Sequence, residues 1–246
     1  MDTETRAVVM RQIKTVNGRR MIVLFSRKYG KISAGTSLSE SGKSKSALAL
    51  RPYTYGRYEL AKVKENFYIN GAEALRSYYR IGEDVDKYLQ ASYVLEFTDK
   101  LLAEGEPAQE LFDLLTAFLS MMEERKKAYG TLVLGYLCQA VVWSGSAPDL
   151  ERCVLCKASE TKYFSVADGG LLCESCAEKS ERDRRLIFPV TVDIIDVFKY
   201  LMEGPLKNLS ALALRGDLEK KIRNILRSYI AYHMGIEELK SESFIV

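Results

Sequence analysis

Two Cys-x-x-Cys pairs constrain this chain more than any other feature of its sequence. Sixteen residues separate the pairs, which is within the spacing typical of a four-thiolate zinc site. The two-residue gap within a pair lets one tight turn aim two sulfurs at a single point, and four thiolates at tetrahedral corners suit zinc. Because four protein ligands leave no coordination position open, the sequence predicts a structural zinc ion, bound by Cys153, Cys156, Cys173 and Cys176.

Iron on the same four sulfurs remains an alternative, since a four-thiolate set also binds iron. Disulfides are disfavoured because the chain shows no secretion signal, and a redox Cys-x-x-Cys would need only one pair. Between the pairs, Asp168-Gly169-Gly170 predicts the turn of a hairpin that links them. The fifth cysteine, Cys138, lies in an apolar segment and is predicted to be a small buried hydrophobe.

The first part of the chain has the character of short strands. Asn17-Gly18 tolerates the positive φ angles of a tight hairpin turn, residues 27–30 form a second turn, and 39–46 are polar and loop-like. Five short strands within about 70 residues predict a small barrel. The predicted strands occupy 6–15, 19–26, 31–38, 51–60 and 61–69.

Helical periodicity begins near residue 81 and continues on both sides of the cysteine segment. Gly235 is placed to end the last helix. The resulting class is α+β, with a barrel domain at 1–80 and a helical domain at 81–246 that carries a zinc-binding insertion at about 150–180. Helices are predicted over 86–103, 108–127, 131–143, 192–202 and 218–233, the third being apolar all round as in a buried central helix.

Charge is divided unevenly between these two parts. Residues 1–80 hold 16 Lys/Arg and 6 Asp/Glu, whereas 81–246 hold 20 and 27. The positive excess predicts a polyanion partner, because cations track a phosphate backbone while rings such as Tyr53, Tyr55 and Tyr58 can stack on unpaired bases. Solvated cations and core tyrosines are the open alternative. The predicted nucleic-acid contacts are Arg19, Arg20, Arg27, Lys28, Lys31, Lys43, Lys45 and Arg51.

Catalytic and membrane functions find little support in the sequence. His233 is the only histidine, and its register with an apolar helical stripe predicts packing rather than catalysis. A nuclease would need carboxylates clustered around a metal ion, and the first 80 residues offer no such cluster. The lack of a catalytic arrangement leads us to expect a protein that is not an enzyme. No run approaches the roughly 18 uninterrupted apolar residues of a membrane span, and MDTETRAVVM lacks a secretion signal, so we expect a cytoplasmic protein.

The order of these parts resembles the bacterial RecO family of DNA repair proteins over essentially the whole chain. The most specific stretches are RRMIVLFSRKYGKISAGTSL with the later KSKSALALRPYTYGRYEL, the cysteine segment ERCVLCKASETKYFSVADGGLLCESC, and the ending RSYIAYHMGIEELKS. The resemblance implies an OB-fold β-barrel as the first domain, followed by a helical domain that carries the zinc module.

The resemblance also implies a recombination mediator that binds single- and double-stranded DNA, anneals complementary strands and helps to load recombinase onto DNA coated by single-strand-binding protein. It implies RecR and single-strand-binding protein as partners, and RecF and RecA as further partners. It also implies that the protein is located at the nucleoid and that its activity needs no nucleotide. This chain departs from the family at SESGKSKS, where Glu40 lies in a loop that is more basic in many relatives. Some relatives lack the zinc cysteines, which implies that the shared activity does not require the metal.

A protein-interaction adaptor is the main rival to this interpretation. In that case the basic face of the barrel binds an acidic protein tail instead of a nucleic acid, since both are polyanions. A competition between single-stranded DNA and an acidic peptide separates the two hypotheses.

Overall fold

A computed structural model describes residues 2–14, 20–38 and 45–244, without the side chains of Asp2, Lys45 and Phe244. The chain divides into two compact units. One consists of Met1–Arg125 with Ser241–Val246, and the other of Lys126–Lys240. The first unit contains two helices that follow residue 80. These compact units therefore differ from the two domains predicted at 1–80 and 81–246, and that sequence boundary stays a prediction.

A closed barrel of five strands forms the start of the first unit, as predicted. Its strands are β1 (Asp2–Lys14), β2 (Arg20–Ser26), β3 (Gly30–Thr36), β4 (Tyr55–Val63) and β5 (Asn66–Arg76), with a short helix α1 (Lys45–Ala49) before β4. The order around the barrel is β1-β2-β3-β5-β4; β1 closes onto β4 in antiparallel fashion, and β3 pairs with β5 in parallel. Lys14 pairs with Arg20, so β1 and β2 form the predicted hairpin, although Asn17-Gly18 itself lies outside the described residues.

Two details of the barrel differ from the sequence prediction. The turn between β4 and β5 lies at Lys64, whose φ of +56° is left-handed, and not between the predicted strands 51–60 and 61–69. Lys64 and Glu65 hold its two central positions, where Gly or Asn is the usual signal. In addition, α1 begins at Lys45, inside the stretch 39–46 that the sequence predicts to be a loop.

Strands β1 and β2 bury side chains on both of their faces. Helices α2 (Val85–Leu101) and α3 (Gln109–Glu124) follow the barrel, and the Phe25 and Phe112 rings meet edge to face with centroids 5.3 Å apart. Burial on both faces explains why these strands have continuous apolar runs instead of strict alternation. Ala7, Val9, Ile22 and Leu24 belong to the barrel core, while Val8, Met10, Val23 and Phe25 are buried outside it.

A central helix, α4 (Tyr129–Trp143), organises the second unit. Every residue from Gly130 to Cys138 is buried, which confirms the prediction of an all-round apolar helix and of a buried Cys138. Helices α6 (Val192–Glu203) and α7 (Gly216–Met234) pack against it. The left-handed φ of +65° at Gly235 ends α7, as predicted.

The cysteine segment lies in a small sheet that belongs to the second unit. Its strands β6 (Tyr163–Ser165), β7 (Gly170–Leu172) and β8 (Ile187–Pro189) have the order β7-β6-β8, and a short helix α5 (Glu174–Lys179) follows β7. Gly169, with a φ of +74°, lies in the turn between β6 and β7, so the predicted hairpin is confirmed. Over the ranges that the structure describes, every helix is too short or too polar for a bilayer crossing.

Candidate metal centre and nucleic-acid interface

Two short turns bring the four sulfurs together. In the first turn, the Lys157 amide donates to the Cys153 carbonyl at 2.9 Å, and Lys157 has a left-handed φ of +64°. In the second turn, Cys173 directly precedes α5, so Cys176 falls in the first turn of that helix. The Ala177 amide donates to the Cys173 carbonyl at 3.0 Å. Each turn therefore curls both of its cysteines toward one point.

The spacing of the sulfurs fits a tetrahedral metal site. All four Sγ atoms lie within 4.8 Å of one another, and those of Cys156 and Cys173 are 3.6 Å apart. Zn–S bonds of about 2.3 Å at tetrahedral angles place sulfurs about 3.8 Å apart. The four cysteines could therefore hold a metal ion, and a set of four sulfur donors favours a soft or borderline cation.

The thiols in this cluster differ in how readily they ionise. Burial opposes ionisation of Cys153, but hydrogen bonds from the backbone amides of Cys156, Cys173 and Leu155 lower its pKa to about 6. Hydrogen bonds with the Cys156 and Cys173 side chains raise the pKa of Cys176 to about 12. The first thiolate is therefore stabilised by amides while a neighbouring sulfur keeps its proton. A cation that binds all four sulfurs has to displace the remaining protons.

The apolar cluster directly around the cysteines is small. It contains Cys153, Leu172 and Ala177 among its buried members. The backbone packs closely instead, since a Cβ atom on Gly170 would lie 2.4 Å from the carbonyl oxygen of Asp149. A bond network that joined the sulfurs would add to this small cluster, as structural metal ions do in other small modules.

The predicted nucleic-acid contacts are spread over the barrel. Arg19 and Lys43 lie outside the described residues, as does the side chain of Lys45. Arg20 begins β2 and Lys28 lies in the turn that follows it. At about 3.3 Å per residue, the intervening strand separates these two positions by roughly 20 Å. Among the described residues, the predicted contacts do not form a single compact patch.

Two of the predicted contacts bind carboxylates inside the first unit. Arg27 forms an ion pair with Asp113 of α3. The Lys31 ammonium donates to the backbone carbonyl of Asp99 at 2.6 Å and lies 3.7 Å from its carboxylate. That carboxylate also lies 3.0 Å from Nε of Arg11. These cations therefore join the barrel to its covering helices, a role that their sequence neighbours do not reveal.

The tyrosines of β4 and its approach pack inside the first unit, Tyr58 in the core and Tyr53 and Tyr55 half-buried. Tyr58 is fully buried and donates its hydroxyl to the Ala49 carbonyl at 2.6 Å, and burial raises its pKa. The Tyr53 hydroxyl forms a hydrogen bond with Ser92 at 2.5 Å, and burial raises its pKa as well. Tyr55 packs against an aromatic ring of α3. The structure thus favours the core alternative for Tyr58 and a packing role for the other two rings.

A second group of aromatic and basic side chains lies around the β4–β5 turn, outside the predicted set. The Lys62 ammonium lies 5.5 Å from the centroid of the Phe67 ring, and the Tyr68 side chain is 44% exposed. The signal in the sequence is the occurrence of Lys62 and Lys64 shortly before Phe67 and Tyr68. The same mixture of cations and rings favoured the tyrosines that the structure packs inside the first unit, so sequence alone could not rank the two segments.

Two protein-family models match the chain. The first, Recombination protein O N terminal, matches residues 1–78. The second, Recombination protein O C terminal, matches residues 82–243. Neither of these models describes a family of enzymes.

Individual relatives match over nearly their full length. A protein of Thermoanaerobacter sp. (strain X514), named DNA repair protein RecO, is 28% identical over 98% of this chain and 96% of its own. Proteins of the same name from Alkaliphilus metalliredigens and Pelotomaculum thermopropionicum are 26% and 29% identical, over 94% and 97% of this chain and 93% and 91% of their own. The chain therefore matches these relatives over nearly its whole length and theirs, with its segments in the same order.

Proposed function

Because the chain belongs to the recombination protein O family of DNA repair and recombination proteins, we propose that it is a mediator of homologous recombination. In this role it binds single- and double-stranded DNA, anneals complementary strands and helps to load recombinase onto DNA coated by single-strand-binding protein. Its proposed partners are RecR, single-strand-binding protein, RecF and RecA. Its proposed location is the cytoplasm, at the nucleoid.

The observation that carries this proposal is the match of both family models within one chain, at 1–78 and 82–243. The closed five-stranded barrel of the first unit supports it. Small barrels of this kind bind oligonucleotides on their strand faces and connecting loops. The order of the two matched domains and the topology of the barrel therefore both support a nucleic-acid partner.

The proposed mechanism is physical and involves no bond making. Lys28 and Arg51 are exposed on the barrel, so they reach phosphates without breaking an ion pair to a carboxylate of α2 or α3. Arg27 has to leave Asp113 first. Cations that neutralise phosphates on two strands lower the repulsion between those strands, and complementary bases can then meet and pair.

We propose zinc for the cysteine cluster, held by Cys153, Cys156, Cys173 and Cys176. Bound there, the ion supplies four bonds that tie the two turns together. The chain fills every ligand position with sulfur, which excludes water and gives the site a structural role. Metal analysis of the purified protein, with the absorption spectrum as a check for iron, tests this assignment; iron as the bound metal would overturn it.

A strand-annealing assay tests the proposed function directly. Complementary strands precoated with single-strand-binding protein are mixed with the chain, and duplex formation is followed by gel or fluorescence. We expect annealing well above the rate of the coated strands alone. If the folded, metal-loaded protein does not accelerate annealing, the mediator proposal is wrong.

The salt dependence of DNA binding tests the role of the exposed cations. Each phosphate contact on a single strand contributes about −0.7 to the slope of log affinity against log salt. Lys28→Ala and Arg51→Ala should each make the slope less steep by about that amount. Lys220→Ala removes an exposed lysine of α7 and should leave the slope unchanged. Equal slopes for all variants would place the phosphate contacts elsewhere.

An adaptor that binds an acidic protein segment is the second candidate function. The observation that favours it is that Arg27 and Lys31 already bind carboxylates, those of Asp113 and Asp99. In a competition titration, labelled single-stranded DNA is displaced with an acidic peptide of equal charge. We expect DNA to bind far more tightly; an advantage for the peptide would favour the adaptor.

The absence of a catalytic step is likewise part of the proposal. Labelled DNA incubated with the protein and Mg²⁺ should stay intact. Cleavage that exceeds the background of a matched inactive preparation would require a metal site of carboxylates, and would overturn the proposal of a protein that is not an enzyme.

A further inference from the structure

The four sulfurs of the cysteine cluster differ in their access to solvent. Cys153 is buried, Cys173 and Cys176 are half-buried, and Cys156 is exposed. Cys138, the remaining cysteine of the chain, is buried inside α4. Reagents in solution therefore meet Cys156 first, since the reactivity of a thiol follows its exposure as well as its ionisation.

The exposed sulfur has a neighbour in the opposite pair. Sγ of Cys156 lies 3.6 Å from Sγ of Cys173, which belongs to the second turn. A disulfide holds its sulfurs about 2.05 Å apart, so these two atoms have to approach by roughly 1.5 Å. Cys156 lies in a turn that is part of neither a helix nor a strand, so the approach breaks no backbone ladder. The two thiols are therefore placed as an attacking and a resolving cysteine.

A groove of about 500 Å³ borders Cys173. Its lining includes the carboxylates of Glu160, Glu174 and Glu178, together with the ammonium of Lys162. That ammonium lies 2.7 Å from the Glu174 carboxylate. The lining therefore carries an excess of negative charge, which repels anionic reagents and admits neutral ones.

We propose that Cys156 and Cys173 form an oxidation site for small neutral hydroperoxides, in which Cys156 is attacked first and Cys173 closes a disulfide with it. This inference goes beyond the proposed DNA-binding function and does not depend on it. It concerns a transient disulfide that forms only under oxidant. Such a bond suits a chain proposed for the cytoplasm, where thiols otherwise stay reduced.

The oxidation takes two steps. A lone pair of Cys156 Sγ attacks one oxygen of the hydroperoxide and the O–O bond breaks. The sulfur becomes a sulfenic acid, and the other oxygen leaves as an alcohol, or as water from hydrogen peroxide. Sγ of Cys173 then attacks the sulfenic sulfur, so the S–S bond forms while the S–O bond breaks and releases water. The two sulfurs lose two electrons to the O–O bond, and the thiols, or solvent for sulfurs that bind a cation, supply the protons.

Oxidation has a defined consequence for the cluster. The disulfide removes two of the four sulfur donors, so only Cys153 and Cys176 remain to hold a cation. Because two donors bind a metal far more weakly than four, the metal should be lost as the disulfide forms. The new bond still joins the turn that contains Cys156 to the turn that begins at Cys173, so the module keeps one link.

Peptide mapping of the full-length, zinc-loaded chain tests the site. The chain is treated with hydrogen peroxide and the remaining thiols are alkylated. Trypsin then places the two pairs in separate peptides, Cys153–Lys157 and Tyr163–Lys179. A disulfide within a pair leaves these peptides separate, whereas a disulfide between pairs joins them. We expect the joined peptide, with fragment ions that place the bond at Cys156 and Cys173. A chromogenic chelator should record about one metal ion released per disulfide.

Two cysteine variants identify the thiol that reacts first. Cys156→Ser should slow the consumption of peroxide by at least about tenfold, since the exposed thiol is lost. Cys138→Ala, which alters the buried cysteine of α4, is the matched control and should leave the rate unchanged. Thermal unfolding of both variants establishes that the second unit is folded.

A third variant keeps all four sulfurs and tests the charge of the groove. It combines Glu160→Gln with Glu178→Gln, both at exposed positions. A disulfide reagent that carries carboxylates should react about two- to fivefold faster with this variant, because repulsion is reduced. Hydrogen peroxide, which is neutral, should react at the parent rate. If neither reagent distinguishes the variant from the parent, the preference for neutral oxidants is wrong.

The outcomes separate the site from the other proposals. If peroxide leaves the four thiols reduced, or forms a disulfide within either pair, the oxidation site is wrong. Equal oxidation of Cys138 would show that exposure does not select the thiol, which also overturns the site. If the joined peptide forms in a chain that binds no zinc, the zinc assignment fails while the site stands. The strand-annealing assay decides the mediator proposal independently of all these results.

Discussion

Gly170, the second glycine of the hairpin between the cysteine pairs, is packed too tightly to accept a side chain. A Cβ atom there would lie 2.4 Å from the Asp149 carbonyl oxygen and 2.7 Å from Cγ1 of Val154. Both neighbours are hydrogen-bonded to β7. The Leu171 amide donates to Asp149 at 3.0 Å, and the Val154 amide donates to Leu171 at 2.8 Å. Gly170→Ala therefore has to push the loop segment 149–154 away from β7.

The magnitude follows from these contacts. Two backbone hydrogen bonds are weakened, each with a net worth of about 1 kcal/mol. Overpacking of a well-packed site costs about 1–3 kcal/mol. We therefore expect the free energy of unfolding of the second unit to fall by about 2–4 kcal/mol. Because the displaced segment contains Cys153 and β7 leads into Cys173, the sulfurs should also lose their spacing and bind metal less tightly.

Urea denaturation followed by Trp143 fluorescence measures this change, since the only tryptophan lies in the second unit. Metal release to a chromogenic chelator gives an independent readout. Gly216→Ala is the matched control, because the described part of the chain has no heavy atom within 4 Å of a Cβ at that position. This control should be as stable as the parent, or more stable by up to about 1 kcal/mol. A Gly170→Ala protein within about 0.5 kcal/mol of the parent would refute the reasoning.

Three further perturbations test the separate roles of the two units. Replacing Cys173 and Cys176 with Ser should abolish metal binding and lower the unfolding midpoint, while the affinity for single-stranded DNA in a filter-binding assay stays within twofold. If a folded variant loses this affinity, the cysteine module is itself a DNA contact surface. Asp99→Ala should lower the free energy of unfolding in urea by about 1–3 kcal/mol, because two cations lose a carboxylate whose side chain is only 14% exposed. An unchanged unfolding midpoint would contradict this anchoring role. Tyr58→Phe should lower the free energy of unfolding by about 1–2 kcal/mol, because the Ala49 carbonyl loses its donor at 2.6 Å, and DNA affinity should not change. Weaker DNA binding at unchanged stability would indicate that this ring stacks on bases.

Features that depend on a few neighbouring residues are predictable from this sequence. The hairpin at Asp168-Gly169-Gly170, the end of α7 at Gly235 and the buried helix over 131–143 each follow from a local pattern, and the structure confirms them. The clustering of the four cysteines belongs to this class as well, since a two-residue gap and a short hairpin set most of its geometry. The left-handed turn at Lys64 is the counterexample, because a lysine in that conformation carries no recognisable signal.

The barrel, the helices and the clustering of the four sulfurs therefore follow from sequence patterns, whereas the exposure of individual cations and rings does not. Arg27 and Lys31 resemble Lys28 in the sequence, yet their carboxylate partners lie 86 and 68 residues away, on helices that cover the barrel. Tyr58 and Tyr68 both belong to predicted strands that contain charged and aromatic residues, yet one fills the core and the other lies over Gly35. Charge and aromaticity belong to the residue alone, whereas accessibility depends on what distant segments pack against it, and only the tertiary structure sets that packing.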